Sequence, residues 1–565
     1  MNLKKFVKKL TKKNWIFEVI ILVLVRPKLF LFDYYYKYID YLEFRKCYKN
    51  LEYFAAEESI KKDKHNQHIL FVPGKNMNVQ WLQLWAIFGN IYKKRGHQVS
   101  AITSKNNPIQ NKFLRLFQCK LIFIENLKIN LFKLPKNLLN EVEKLNNFDE
   151  VKNFEYKDMP IGKMALSTYS RMNLTGLLEL SSKESKAEVK FWILYLLKCV
   201  FISQKLLKEE NISMLIFTEV FMEEYGSIYY AALKMNLNII RMAGTVRDNA
   251  IVVQHLTEES DRTHFSSFNK NTWLRLLKKP LSEKVKIQLD QNFHDRYSDK
   301  WDMSSRNQPN TEIMDIDKAK ILSNVPPDKK VAIIYSHILY DTLFFNGEDI
   351  YKNYADWLIE TIRAACKNEN LYWLIKIHPS NTWRGELDSL VEKGKYEELR
   401  IIEKKIGALP NHIDFIYPDT PISPYTWLQI ADIGITTRGT SGIELGALGK
   451  TVLTAGTGRY EEIGFTINSK TPQEYENNLK NLHKVESSKE SIDLGIRFAF
   501  STFCLKPFTL DFLDPIPRKG KDKIKSTDDL TYSIKKLDEM PQSIDRYIDW
   551  SFKKAEVDFI NPWPL

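Results

Sequence analysis

Residues 430–465 read IADIGITTRGTSGIELGALGKTVLTAGTGRYEEIGF. The run 431–435 is apolar enough for a buried parallel strand. Thr436-Thr437-Arg438-Gly439-Thr440-Ser441-Gly442 is a turn of small residues, and 443–448 has helical character, stopped by Gly449 and Lys450. A second apolar strand, 451–454, breaks into Ala455-Gly456-Thr457-Gly458-Arg459-Tyr460. Strand, turn, helix, strand, turn is a βαβ unit. Its turns fall at the carboxyl ends of the strands, the edge where open α/β sheets bind ligands. Open amides at a helix start, with Arg438 beside them, suit a phosphate. Glycines near helix ends are also ordinary turn punctuation.

The same alternation runs along the chain. A strand over 68–72, a helix over 79–94 and strands over 98–103 and 119–125 open a Rossmann-like unit. Residues 126–210 read mostly as helix. A buried strand at 214–217 ends in Thr218-Glu219, a helix follows over 225–234, and a strand over 238–242 ends in Ala243-Gly244-Thr245. Polar groups at such strand ends face a cleft, which makes Glu219, Glu223 and Arg247 candidates. From 257 to 328 the sequence is polar and of mixed charge, as in a connection. A second alternation then starts with a strand at 330–335 and its exit loop Ser336-His337-Ile338-Leu339-Tyr340-Asp341. A helix at 351–368, a strand at 372–377 followed by His378-Pro379, a charged helix at 386–404 and a strand near 414–417 lead back to the opening stretch. Beyond Pro515 a basic run precedes a helix over 547–557, suited to brace the first domain.

Five segments result: a basic amphipathic helical segment 1–60, a first Rossmann-like domain 61–256, a connection 257–328, a second Rossmann-like domain 329–515, and a helical tail 516–565. A chain of 565 residues is too long for one core, and 44% hydrophobic with 27% charged content describes an ordinary globular protein. The net charge of +13 suits an anionic small molecule, an acidic membrane surface or nucleic acid. No nucleic-acid reader motif accompanies it. Five scattered cysteines support neither a disulfide framework nor a structural zinc site, and a reducing cytosol is the simplest compartment. The apolar run 19–25 is short of a membrane span and lacks a cleavage site. With lysines at 4, 5, 8, 9, 12 and 13, this segment suits an anionic bilayer surface, or equally a helix packed on its own domain.

In the second domain four strand-end loops carry polar groups that a parallel sheet brings to one edge. They are Ser336, His337 and Asp341; Lys376 and His378; 438–444; and Thr457, Arg459 and Tyr460. Lys376, His378 and Arg438 offer cationic donors to phosphate, and the amides of Gly439, Thr440, Ser441 and Gly442 offer neutral ones. Glu444 stands where acidic residues accept from ribose. His378-Pro379 also reads as a rigid turn.

The combination SHILYD (336–341), GED (347–349), KIHP (376–379) and TTRGTSGIELGALGKTVLTAGTGRYEEIGFT (436–466) resembles bacterial capsule and surface-polysaccharide biosynthesis proteins. These are similar to the GT-B glycosyltransferases, including the Kdo-transferring capsule enzymes. The resemblance covers about 330–480. It implies an α/β fold of two Rossmann-like domains facing a central cleft, with extra N- and C-terminal helices. The second domain would hold a nucleotide-sugar donor and the first a glycan or glycolipid acceptor. The work would be done on the cytoplasmic side, peripheral to an inner membrane. Such enzymes generally need no bound metal, and no cofactor is implied beyond the donor. Basic groups would stabilise the leaving phosphate. Catalytic candidates are Glu219, Glu223, His337 and Asp341, the first two as general base if the anomeric centre is inverted. A polyol-phosphate or glycosyl-phosphate transferase, and a non-catalytic nucleotide-sugar-binding protein of the export machinery, are the alternatives on the same scaffold.

Overall fold

The computed structural model describes residues 66–73, 79–116, 118–221, 223–260, 262–298, 300–301, 311–341, 343–379, 396–517, 530–535 and 541–564. The expected helical segment 1–60 lies outside them, as does most of the helix expected over 386–404. Strands are β1 (His68–Val72), β2 (Gln98–Thr103), β3 (Lys120–Phe123), β4 (Met214–Phe217), β5 (Asn238–Gly244), β6 (Ala250–His255), β7 (Lys330–Tyr335), β8 (Leu371–Lys376), β9 (Ile413–Ile416), β10 (Ile433–Thr436), β11 (Thr451–Thr454), β12 (Ile467–Asn468), β13 (Phe508–Thr509), β14 (Leu513–Pro517) and β15 (Leu530–Ile534).

The first sheet has the order β13-β6-β5-β4-β1-β2-β3 and the second the order β12-β11-β10-β7-β8-β9. The second sheet is parallel throughout. Counted from its own first strand, its order is 6-5-4-1-2-3, the doubly wound Rossmann arrangement. The first sheet repeats that order through β5, while β6 and β13 run antiparallel at its edge. Chain direction reverses across the sheet between β1 and β4, and again between β7 and β10. These are the two points where such folds bind ligands. Two Rossmann-like domains around a cleft, the GT-B-like fold implied by the resemblance, are what the chain forms.

Strand residues alternate between faces because Cβ direction has period two. In β1, Ile69 and Phe71 face a core that includes Trp85 and Tyr547, while Leu70 and Val72 face one that includes Leu215 and Phe217. The latter core continues through Phe221, Leu339 and Phe345 into Ile334, Trp357 and Ile375 of the second domain. Where it crosses, the rings of Phe221 and Phe345 stack at 4.8 Å and 5°.

The tail does return to the first domain. The helix Gln542–Ser551 packs there, with Tyr92 Oη donating to Tyr547 Oη at 3.0 Å and an ion pair between Arg95 and Asp545. The crossing comes earlier in the chain than composition suggests. Helix Lys489–Phe500 runs into one π-helical turn, Ser501–Leu505, and Phe508 already pairs with Ile251 of the first sheet. The connection 257–328 carries helices Lys270–Leu277, Glu283–Tyr297 and Ile316–Leu322, docked mainly on the second domain. Strand β6 is a further element that the polar residues around it hid from the sequence reading. Among the described residues no helix is long and apolar enough to cross a membrane.

Candidate active site between the two domains

Loops at the carboxyl ends of both sheets meet in the cleft. Phe221, after β4, touches Phe345, after β7; His264 N–H donates to the Gly458 carbonyl, after β11, at 2.7 Å; and Arg171 pairs with Asp341.

The turn after β10 is built around Arg438. Its Nε donates to the Thr457 carbonyl (2.9 Å) and its Nη1 to Tyr354 Oη (3.0 Å) and the Phe345 carbonyl (3.5 Å). Its Nη2 donates to the Glu348 carbonyl (3.0 Å) and to Asp349 Oδ1 (2.5 Å). A guanidinium has five donors, and protein acceptors take all of them. Arg438 is 4% exposed. It therefore holds three loops together and offers no donor to a phosphate, which corrects the role expected of it. The GED loop it anchors is tightly wound. Phe344, Asn346 and Gly347 have φ of 69°, 66° and 135°, and a Cβ on Gly347 would lie 1.9 Å from the Thr457 carbonyl oxygen.

Other expectations change for similar reasons. Glu444 is buried against Arg296, at 2.9 Å, and accepts from Tyr297 Oη at 2.6 Å, so its carboxylate faces the connecting helix rather than a ribose. Tyr460 Oη donates to the Gly439 carbonyl (2.8 Å), filling the space that Gly442 leaves. Gly442 N–H is itself bonded to the Gly439 carbonyl. Gly439 N–H donates to Thr436 Oγ1 at 3.0 Å. Thr457 Oγ1 accepts from Glu348 N–H at 2.8 Å. Arg459 donates to Ser266 Oγ, the Arg438 carbonyl and Thr440 Oγ1 at 2.9–3.0 Å. Burial, with Arg296 and Arg438 close by, brings its pKa down to about 10. Ser336 Oγ donates to Glu398 Oε1 at 3.3 Å.

Two amides and two side chains among the expected groups lie at or follow strand ends of the second sheet. Helix Thr440–Ala447 begins one turn earlier than its apolar residues suggest, with Gly439 as N-cap. The N–H groups of Thr440 and Ser441, both half-buried, carry no bond to protein among the described residues and lie at the positive end of the helix. Lys376 ends β8, next to the switch-point strand β7, and burial lowers its ammonium pKa to about 8. His378 follows, half-buried and electrostatically coupled to His337.

His337 stacks on Tyr354 at 4.8 Å, and its Nε2 accepts from Thr437 N–H at 3.3 Å, with Thr437 Oγ1 at 2.5 Å and Thr436 Oγ1 at 3.1 Å. Burial, then Arg438 and His378, hold its pKa well below the usual range. A neutral imidazole so engaged fixes the β7 and β10 exits against each other and is not placed as a base. Asp341, ion-paired with Arg171, links the domains. Glu223 starts helix Glu223–Lys234 with φ 48°, its N–H on Thr168 Oγ1, and it interacts electrostatically with Tyr195 on the helix Lys183–Glu209. Glu219, two residues past β4 at the first domain's switch point, is exposed and interacts electrostatically with Arg241. Arg247 lies over Trp301, 5.3 Å from the ring centroid.

Sequence reasoning missed Arg241 and the 264–267 segment. Arg241 had a signal, a single charged residue in the buried strand NIIRM. His264, Ser266 and Ser267 had none, since only tertiary contact brings them to Gly458 and Arg459. Among the described residues no group of three or more His, Cys, Asp or Glu is arranged to hold a metal ion.

No protein-family model and no curated protein matches the chain. Among solved structures, the chain is similar to the beta Kdo 2,4 transferase of KpsC from Thermosulfurimonas dismutans, at 13% identity and a TM-score of 0.32, covering 57% of this chain and 85% of that one. It is similar to a UDP-GlcNAc 2-epimerase from Neisseria meningitidis bound to UDP-GlcNAc, at 10% identity and a TM-score of 0.26, covering 77% and 96%. A third is CalG4, the calicheamicin glycosyltransferase, at 11% identity and a TM-score of 0.27, covering 78% and 94%. The likeness is one of fold, and the functional reading rests on the residues of the cleft.

Proposed function

We propose that the chain is a GT-B-type glycosyltransferase, moving a sugar from a nucleotide-sugar donor to a growing cell-surface glycan or glycolipid. The observation that carries this reading is the pair of open amides, Thr440 and Ser441, at the start of the helix after β10 beside the β7/β10 switch point; Lys376 and His378 end and follow β8 on the other side of β7. In this reading the donor's phosphate sits on the helix N-terminus. As the acceptor oxygen bonds to the anomeric carbon, the bond from that carbon to the phosphate oxygen breaks. The charge left on phosphate is met by Lys376, His378 and the two amides, without calling on a metal. Glu219, on the opposite wall, accepts the proton of the acceptor hydroxyl. A basic segment before residue 60 would keep the enzyme at the cytoplasmic face of an anionic membrane, where a glycolipid is within reach.

The test is a thermal-shift screen with CMP-, UDP-, GDP- and dTDP-linked sugars. One class should raise the melting temperature, since a ligand that binds only the folded state stabilises it. If none does, the donor site is not there.

A further inference from the structure

Arg241 is a buried charged group of the cleft whose Nε finds no acceptor among the described residues. It projects from β5, opposite Phe217 at the end of β4, and is 9% exposed. One ring, Phe265, lies 4.9 Å from its guanidinium carbon, and a second, Phe221, lies at 5.7 Å. Phe221 is backed in turn by Phe345 of the second domain. Its Nε is buried without an acceptor, and among the described residues no hydrogen bond or ion pair engages the group. Contrast Arg438 and Arg459, whose donors are bound to protein oxygens a short way off.

Aromatic faces hold a guanidinium by its plane and leave its N–H edge free. That edge is a fork matched to two oxygens of one anion, carboxylate or phosphate. Burying a cation without an acceptor is costly. The arrangement makes sense when a ligand brings the acceptor atoms. Two groups near it fix which ligand. Glu219 and His264 both interact with Arg241 electrostatically. Arg241 and Glu219 both belong to the first domain, while the Thr440 and Ser441 amides belong to another loop and the other domain.

We infer that Arg241 receives an anionic group of the acceptor, a carboxylate or a phosphate, held next to the hydroxyl that Glu219 deprotonates. The acceptor is then an acidic or phosphorylated glycan rather than a neutral one. The word acceptor rests on the glycosyl-transfer reading; the anion site does not.

Calorimetric titration of the full chain with glucuronate, glucose 6-phosphate and glucose tests this. At least one of the two anions should bind and glucose should not; which anion binds tells carboxylate from phosphate. Arg241→Met should lower that affinity at least tenfold, and Arg241→Lys, which keeps the charge and the fold but not the fork, should lower it as well. The melting-temperature shift given by the nucleotide sugar should persist in both variants. Anion binding unchanged in both variants, or no anion binding by the unaltered chain, overturns the inference. So does a loss of the nucleotide-sugar shift with anion binding kept, which would put Arg241 on the donor. If no nucleotide sugar binds while Arg241-dependent anion binding remains, the donor reading falls and the anion site stands.

Discussion

Arg438 Nη2 and Asp349 Oδ1 lie 2.5 Å apart, an ion pair buried on both sides that ties the loop after β7 to the turn after β10. The two residues are 89 positions apart in the chain. Removing one partner of a buried pair leaves the other charge without compensation, at a cost of roughly 3–5 kcal/mol. Asp349→Ala and Arg438→Ala should each destabilise by about that amount in urea unfolding. The double variant should cost clearly less than the sum. Additive losses would mean that the pair does not act as a unit.

The Thr440 amide can be removed without breaking its helix. Gly439 is extended, with φ −66° and ψ 156°, and Thr440 is the first helical residue, the place where proline is tolerated. Thr440→Pro deletes one N–H and the hydroxyl that accepts from Arg459. A hydrogen bond to a charged group contributes about 1.5–3 kcal/mol, so nucleotide-sugar affinity should fall at least tenfold, measured by calorimetry. Unchanged affinity, with the melting temperature kept, would remove the phosphate from this helix.

Lys376 gives a pH dependence with a definite sign. Burial holds its folded pKa at about 8 against an ordinary 10.5. Between those values the unfolded chain binds the extra proton, so this group makes stability rise with pH over that window, by about 3 kcal/mol at most. Below about pH 8 the full cost of the buried ammonium is present. Urea melts from pH 7 to 10.5 should show the rise, and Lys376→Met should flatten it. Donor affinity should run the opposite way, falling as pH passes 8, because a neutral amine no longer meets the phosphate.

Gly442 and Tyr460 form a steric pair. A Cβ at Gly442 would lie 2.2 Å from Tyr460 Oη, which donates to the Gly439 carbonyl. Gly442→Ala should destabilise by about 1–3 kcal/mol, the usual cost of overpacking. Tyr460→Phe removes the clashing oxygen, so the double variant should recover part of that loss. A double-mutant cycle with no coupling would argue against the packing described.

Much of this architecture could be read from the chain alone. Strand and helix periods place β1, β2, β4, β7 and the helix Val79–Lys94 to within a residue or so, because buried parallel strands and amphipathic helices leave local patterns. The turn 436–442 stands out in sequence as a candidate anion site for the same reason: strand ends, glycines and a helix start are neighbours in sequence. Which of its groups are available was decided only by tertiary structure. Arg438 and Glu444 look alike in sequence as polar groups in a binding turn. The acceptors that take up Arg438 come from residues 345–354 and 457, and the partners of Glu444 from 296 and 297. Arg241 is the reverse case, an unremarked arginine in a strand until folding places Phe221 and Phe265 about it and gives its Nε no acceptor among the described residues. Local sequence determined where a ligand is proposed to bind, since that depends on backbone conformation. Long-range packing determined which side chains are left to bind it, since each buried donor takes the nearest acceptor that the fold supplies.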